Sequence, residues 1–225
     1  MTQNLNNIFI VIPAWNEEKS IGDVLKTLGN YSYQVVVVND GSTDKTASIV
    51  CQYGGVYLVD HFINRGMGAA LQTGNEFALK MGAEYIVHFD ADGQMQAGDI
   101  AKMLAPLIDG SADITMGSRH MGISSNLPWM KKYLLQPPAR IINYIFTGLW
   151  LTDVHNGFRA ITADVAKRMF ISIDGFAHNT EIPSYVKKLS LRHREVPVKI
   201  VYTKFGLGLS DGFRILFDLI IKKLS

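Results

Sequence analysis

Short, uninterrupted apolar runs recur along the first 120 residues, and a helix-like segment follows each. The first is "IFIVIP" (Ile8–Pro13), then "YQVVVVND", "VYLVD", "YIVHFD" and "ADITMGSR". A run apolar at every position, not every second one, suits a strand covered on both faces, which is the environment of a parallel sheet. The segments between carry the other period. Ile21, Val24, Leu25 and Leu28 fall at i, i+3, i+4 and i+7, one face of a helix, with Gly29 and Asn30 at its end. "STDKTASIVCQYGG" and "GAALQTGNEFALKMG" read as two further helices, and "GDIAKMLAPLIDG" as a less regular one because of Pro106. Such alternation predicts βαβ units and an α/β fold with a mostly parallel central sheet flanked by helices. Ligands of such sheets bind beyond the carboxyl ends of the strands. Pro13, Asp40, Asp60, Asp90 and Arg119 fall at those ends.

The fourth run ends in two carboxylates, Asp90-Ala91-Asp92, followed by Gly93 and Gln94. Two carboxylates so close repel, and burying either is costly without an opposite charge. Hard cations such as Mg2+ and Mn2+ prefer oxygen ligands of this kind, and Mg2+ usually shares them with substrate phosphate. The alternative is a solvated Asp/Gly turn. Each other motif also has two readings. Asp40 in "VVVNDGSTDKT" can accept from a nucleobase edge, or the stretch is a tight connection with Ser42 or Thr43 capping a helix. In "PAWNEE", Trp15 can pack on a base and Glu17 accept ribose hydroxyls, or Asn16 caps a helix whose glutamates favour its positive end. "NRGMGAA" (Asn64–Ala70) can bring backbone N–H groups and Arg65 to phosphate, although it lacks the G-K-[ST] of a P-loop. "TDVHNGFRA" gathers Asp153, His155, Asn156 and Arg159, a structural network or an anion site. In "FAHNTEI", Asn179 and Glu181 read as cap and first-turn acid of a helix, or Glu181 as a catalytic carboxylate.

The 225 residues suffice for one domain with its own core. A net charge of +2 does not indicate a nucleic-acid binder, and the single cysteine, Cys51, excludes an internal disulfide. No signal peptide is read at the N-terminus, and no run of about 18–20 apolar residues predicts a spanning helix. Twelve uncharged residues, Ile141–Thr152, follow Pro137-Pro138, Lys131, Lys132 and Arg140, and Phe213–Ile221 is again strongly apolar. These are too short to cross a bilayer but long enough to lie in its interface; a helix pair on the core or at a homo-oligomer contact is the other reading.

Taken in order, "IPAWNEE", "VVVNDGSTDKT", "NRGMGAA", "DADGQ", "GSR" and "HNGFRA" resemble glycosyltransferase family 2, with the GT-A fold, and within it the dolichyl- and polyprenyl-phosphate sugar synthases. The resemblance runs from about Ile8 to the end. It implies one GT-A domain over 1–225, with a nucleotide-sugar part at 1–120 and an acceptor part at 121–225. It implies a UDP- or GDP-sugar donor, a polyprenyl phosphate acceptor and a divalent cofactor, Mg2+ or Mn2+. Pro13, Trp15, Glu17, Asp40, Asn64, Arg65 and Asp90 would line the nucleotide-sugar site, with Asp90, Asp92 and Gln94 toward the metal. Arg119 and Arg140, with His155 and Asn156, would face the acceptor; Arg159 would support its pocket. Asp92, Glu181, Arg119 and Arg159 would form the catalytic set. Where relatives carry a C-terminal lysine, "KFGLGLSDG" has Leu209 and Ser210, and Lys204 stands in for the diphosphate contact. The expected setting is cytoplasmic and peripheral on the inner membrane face. A transferase to a sugar hydroxyl, a nucleotidyltransferase and a non-catalytic nucleotide-binding subunit are the other readings; the last two fit less well because the first loop is acidic and glycine-free and the carboxylates are intact.

Overall fold

The computed structural model describes residues 7–121, 136–154, 156–174 and 178–201. Seven strands form one sheet. They are β1 (Ile8–Ala14), β2 (Gln34–Asp40), β3 (Val56–His61), β4 (Tyr85–His88), β5 (Ile114–Ser118), β6 (Arg159–Thr162) and β7 (His193–Pro197), in the spatial order β3-β2-β1-β4-β6-β5-β7. All pair in parallel except β6, which runs antiparallel to both β4 and β5. The carboxyl ends of six strands and the amino end of β6 therefore share one rim. The expected α/β architecture is present, and all five apolar runs are strands of this sheet.

The helices are α1 (Ile21–Leu28), α2 (Thr46–Val50), α3 (Met67–Lys80), α4 (Ile100–Ile108), α5 (Gln136–Thr147), α6 (Ala163–Arg168) and α7 (His178–Lys188). The periodic residues Ile21, Val24, Leu25 and Leu28 are the buried face of α1. One core cluster includes β1 residues Ile8, Ile10 and Ile12 with α1 and α4; the other includes Phe9 and Val11 with α3 and α7. Alternate residues of one strand thus serve opposite layers.

Several local expectations are corrected. Helix α1 starts at Ile21, not at Asn16, whose φ is +56° and whose Oδ1 accepts from Thr43 N at 2.9 Å. Helix α2 is five residues long, and neither Ser42 nor Thr43 caps it; Asp44 Oδ1 accepts from Thr46 N at 2.9 Å instead. Asn179 lies inside α7, which starts at His178. Pro106 lies inside α4, which continues to Ile108. Proline loses the bond to the carbonyl four residues back and crowds that carbonyl, and the helix ends two residues later. Strands β6 and β7 had no counterpart among the sequence-based strands.

Close packing of α3 on the sheet depends on Gly74. A Cβ there would lie 2.2 Å from Val11 Cγ1. Gly74→Ala is expected to cost about 1–3 kcal/mol by overpacking, lowering the midpoint of thermal unfolding by several degrees. Gly54→Ala, which meets nothing within 4 Å, should leave it unchanged. Differential scanning calorimetry of both variants is the check; equal midpoints would contradict the packing account.

Candidate active site

The first two rim loops are sewn together by their own polar side chains. Asn16 N donates to Ser42 Oγ (3.0 Å), Glu17 N to Thr46 Oγ1 (2.8 Å) and Glu18 N to Asp44 Oδ2 (3.0 Å). These bonds hold the segment after β1 against the segment after β2. Pro13 is buried inside β1, whereas Trp15 is 55 % exposed at the rim. Glu17 accepts from Ser20 Oγ at 2.6 Å.

Asp40 ends β2, and its carboxylate is spent on the protein itself. Oδ1 takes the His61 ring (Nδ1, 2.7 Å) and Arg65 N (2.9 Å), and Oδ2 takes Gly66 N (2.7 Å). Asp40 is 2 % exposed. The residue expected to meet a base thus fixes the loop that leads into α3, and Asn64 and Arg65 are exposed on that loop. Gly41, at φ +67°, packs so tightly on it that a Cβ would lie 2.5 Å from Asn64 N.

Asp90 and Asp92 follow β4. Asp92 Oδ1 accepts from Gln94 N at 2.9 Å, and Asp90 N donates to Met95 Sδ at 3.3 Å. Among the described residues nothing donates to the Asp90 carboxylate, and Gly157 lies so close that a Cβ there would meet both its oxygens at 3.2 Å. Burial raises the Asp90 carboxyl to about 7; Asp92 and Glu17 push the same way, while Arg159 and Arg119 oppose them. Burial also raises Asp92, against the Gln94 hydrogen bond. The two arginines do not fully offset the charge of the pair, which fits a divalent cation. Among the described residues no group of three or more His, Cys, Asp or Glu side chains has the arrangement to hold a metal alone. The donor set of two carboxylates and Gln94 therefore suits an ion completed by substrate phosphate and water.

The arginines take up different positions. Arg159 opens β6 directly opposite His88 of β4 and is 1 % exposed. Its Nη2 donates to Asn179 Oδ1 at 2.8 Å, and Nε and Nη1 have no hydrogen-bond partner. It is a cation beneath the site, not a side chain at its mouth. His88, missed in the sequence reading, is buried beside it and meets Asn75 Oδ1 at 2.9 Å. Burial, then the charges of Arg159 and His178, pushes its imidazole down to about 3, so it is neutral.

Arg119 lies just past β5. Its Nε and Nη2 grip Asp153 at 2.6 and 2.5 Å. Burial works against the Asp153 charge, but these hydrogen bonds and the Arg119 charge outweigh it and hold its carboxyl below the usual range. Arg140 Nε donates to Thr152 O at 3.0 Å. Thr152 Oγ1 meets Ser118 Oγ at 2.6 Å and donates to Glu195 Oε1 at 2.7 Å, a network the sequence reading did not include. Asn156 is buried, and its Nδ2 has no hydrogen-bond partner.

Glu181 is buried in the first turn of α7. Its carboxylate accepts from Ser172 N (3.0 Å), Ser172 Oγ (2.5 Å) and Ile173 N (2.8 Å), and it is 8 % exposed. His155 and Lys204 lie outside the described residues, as does Phe213–Ile221.

The family model for glycosyl transferase family 2 matches residues 9–170. The chain belongs to that family. An uncharacterized protein of Methanocaldococcus jannaschii is 38 % identical, over 98 % of this chain and 94 % of that protein. The UDP-N-acetylglucosamine–dolichyl-phosphate N-acetylglucosaminyltransferase of Methanococcus voltae is 32 % identical, over 97 % and 96 %. The polyprenol monophosphomannose synthase of Mycolicibacterium smegmatis is 26 % identical, over 89 % and 79 %. Among solved structures, glucosyl-3-phosphoglycerate synthase of Mycobacterium tuberculosis with Mn2+ and UDP-glucose superposes with a TM-score of 0.73 at 17 % identity, covering 98 % of this chain and 78 % of that one. The strand order and these neighbours give the GT-A fold. The chain is therefore a glycosyltransferase, and no helix among its described residues is long and apolar enough to cross a membrane.

The Asp90 charge yields a prediction for the glycosyltransferase without metal. An acid whose pKa is higher folded than unfolded gives stability that is complete below its unfolded value, 3.8, and lost as the pH rises through about 7. In a chelator, wild type should lose stability between about pH 4 and pH 7. Asp90→Asn should gain on wild type across that window and be the more stable protein at pH 8. Urea titrations at pH 4.5 and pH 8 measure both, and a pH-independent difference would contradict the burial of that charge.

Proposed function

We propose that this glycosyltransferase moves a sugar from a UDP- or GDP-sugar to a polyprenyl phosphate, with inversion, for cell-envelope glycan synthesis. The observation that carries the reading is the shared rim: an unneutralised carboxylate pair at the end of β4, flanked by Arg119 at the end of β5 and the sewn nucleotide loops of β1 and β2. Named relatives that span this chain nearly end to end act on dolichyl phosphate or make polyprenol monophosphomannose.

The chemistry follows from charge. One oxygen of the acceptor phosphate attacks the anomeric carbon; the bond from that carbon to the nucleoside diphosphate breaks, and its electron pair leaves with the diphosphate. Asp90, Asp92 and Gln94 would hold a Mg2+ or Mn2+ ion, which when bound supplies positive charge to the leaving diphosphate. Trp15, Glu17, Asn64 and Arg65 line the donor side. Asp40 and Pro13 shape it from beneath. The Asp153 carboxylate aims Arg119, so its guanidinium is preset for an anion and pays little ordering cost on binding. Arg140, tied to Thr152, stands on the same side, and Asn156 with its unpartnered Nδ2 lies below. An acceptor phosphate is ionised at neutral pH and needs no base. That agrees with Glu181 being engaged by three donors of the 172–173 turn, so we assign Glu181 to holding that turn. Lys204 remains the candidate for the diphosphate: Val201, three residues before it, donates to Gln94 O at 2.9 Å.

A lipid acceptor also calls for a membrane-facing surface. Ile141, Tyr144 and Ile145 on α5 are more than half exposed, as is Trp150, whose ring meets Tyr144 edge-on at 6.0 Å. With Arg140 beside them they suit a cytoplasmic enzyme lying peripherally on the inner membrane face.

Three variants test the reading with a polyprenyl phosphate and the matching donor. Asp92→Ala should abolish Mn2+-dependent donor binding while the fold persists. Arg119→Lys cannot reproduce the paired grip on Asp153 and should lower turnover by about 10²–10³, with donor affinity kept. Glu181→Gln should retain most turnover at temperatures where it stays folded. A Glu181→Gln enzyme far slower than Arg119→Lys would point to a hydroxyl acceptor and overturn the proposal.

A further inference from the structure

The loop between β3 and α3 presents its largest apolar side chains to solvent. Phe62 is 101 % exposed and Ile63 66 %. A mobile loop would need no explanation for this, but the contacts here are those of a fixed one. The chain on either side is clamped by the buried Asp40 carboxylate, through His61 Nδ1 before the pair and through Arg65 N and Gly66 N after it. His61 Nε2 is held in turn by Thr73 Oγ1 of α3 at 2.9 Å. Gly41 backs the loop so closely that a Cβ would meet Ile63 C at 2.5 Å. Three hydrogen bonds to Asp40, a fourth to Thr73 and the Gly41 contact thus hold in place a loop whose Phe62 side chain is fully exposed.

We propose that Phe62 and Ile63 are a lipid-inserting element that sets the carboxyl rim against the bilayer, and this rests on the lipid-phosphate acceptor proposed above. Three observations select a bilayer as the occupant. The loop stands on the rim that carries Asp90, Asp92 and Arg119, so whatever it touches is near the reacting groups. Arg65, exposed two residues after Ile63, lines the donor side and also puts positive charge at this edge of the rim, which favours an anionic surface there. The apolar face of α5, with its own Arg140, lies at the other side of the site. Strand β3 is an edge of the sheet, whereas α5 is tied through Arg140 and Thr152 to Ser118 of β5, five positions away. Two apolar contacts on separate elements oppose tilting about either one; a single one leaves the rim free to tilt away. The arrangement explains how a lipid-linked phosphate can be reached without a spanning helix among the described residues.

The test separates the surface from the reaction. In a Cys51→Ser background, an environment-sensitive fluorophore is placed at position 62 through Phe62→Cys; the control carries the same label on native Cys51, which is exposed at the end of α2. With anionic vesicles containing brominated lipid, the label at 62 should shift to the blue and be quenched, and the label at 51 should not. Equal responses, or none, overturn the proposal. A change at 62 that follows protein concentration without vesicles assigns the loop to a second copy of the chain and also overturns it. Phe62→Ser with Ile63→Ser should lower transfer to vesicle-embedded polyprenyl phosphate by about ten-fold or more, and leave transfer to a short, water-soluble prenyl phosphate within about two-fold. Equal losses on both acceptors place the loop in the donor site and overturn the proposal. If wild type transfers to neither phosphate, the acceptor reading fails, and the fluorescence result alone then decides whether the loop meets lipid.

Discussion

A carboxylate cannot be driven into a protein without something opposite to it, and the geometry around Asp90 follows from that constraint. Strand β4 carries the chain through its apolar interior and ends beside Asp90, where burial and the neighbouring Asp92 both favour the neutral acid. The counterweight comes from β6. That strand runs against the direction of its neighbours, so its first residue, Arg159, enters the sheet at the rim opposite His88, two residues short of Asp90. A parallel strand in its place would deliver its first residue to the far edge. The one antiparallel strand thus brings a buried guanidinium to the level of the carboxylate pair, and Gly157 lets the preceding turn close over Asp90. Arg159 offsets the pair without neutralising it, because Asp92 and Glu17 still outweigh it. The remaining negative charge is what suits the pair to the proposed cation.

Much of this fold was legible because buried parallel strands have a strong signature. Strands β1 to β5 contain runs such as "IFIVI" and "VVVV" that few other environments accept. Strand β7 reads "HREVP", with two exposed residues at its start, and β6 is only four residues beginning with arginine. Neither pattern separates from a polar loop, so the second half of the sheet was hidden. The same gap explains the reading of Arg159. In a turn, an arginine beside Asp153 and Asn156 suggests an exposed anion site; the structure makes it the buried first residue of a central strand.

The carboxylates show a second limit of sequence reading. Asp40, Asp90 and Glu181 all stand where a ligand contact is plausible, and residue type alone does not rank them. Hydrogen bonding does. Asp40 and Glu181 each accept three donors from their own chain, whereas nothing among the described residues donates to Asp90. A carboxylate that already has its donors gains little from a ligand, while one without them has its desolvation still to recover. The loop sites were legible as motifs, but which of their acids remains available depends on backbone N–H groups that sequence does not reveal.

Arg119 and the carboxylate pair are also joined through the chain that leaves β7. Val198 N donates to Ser118 O at the end of β5, Lys199 N to Asp99 Oδ2, and Val201 N to Gln94 O, with Ile200 bridged to Met95. One short segment therefore runs from beside Arg119 to the loop that carries Asp92 and Gln94. Glu195, two residues before the end of the same strand, accepts from Thr152, whose carbonyl holds Arg140 and whose neighbour Asp153 holds Arg119. A shift of β7 would be felt at both arginines and at Gln94 together. Backbone hydrogen bonds at both ends make such a shift costly, so the spacing between Arg119 and the carboxylate pair is fixed before either substrate arrives. For a reaction in which two anions must be held close enough to exchange a sugar, that fixed spacing is the larger part of what the protein contributes beyond charge.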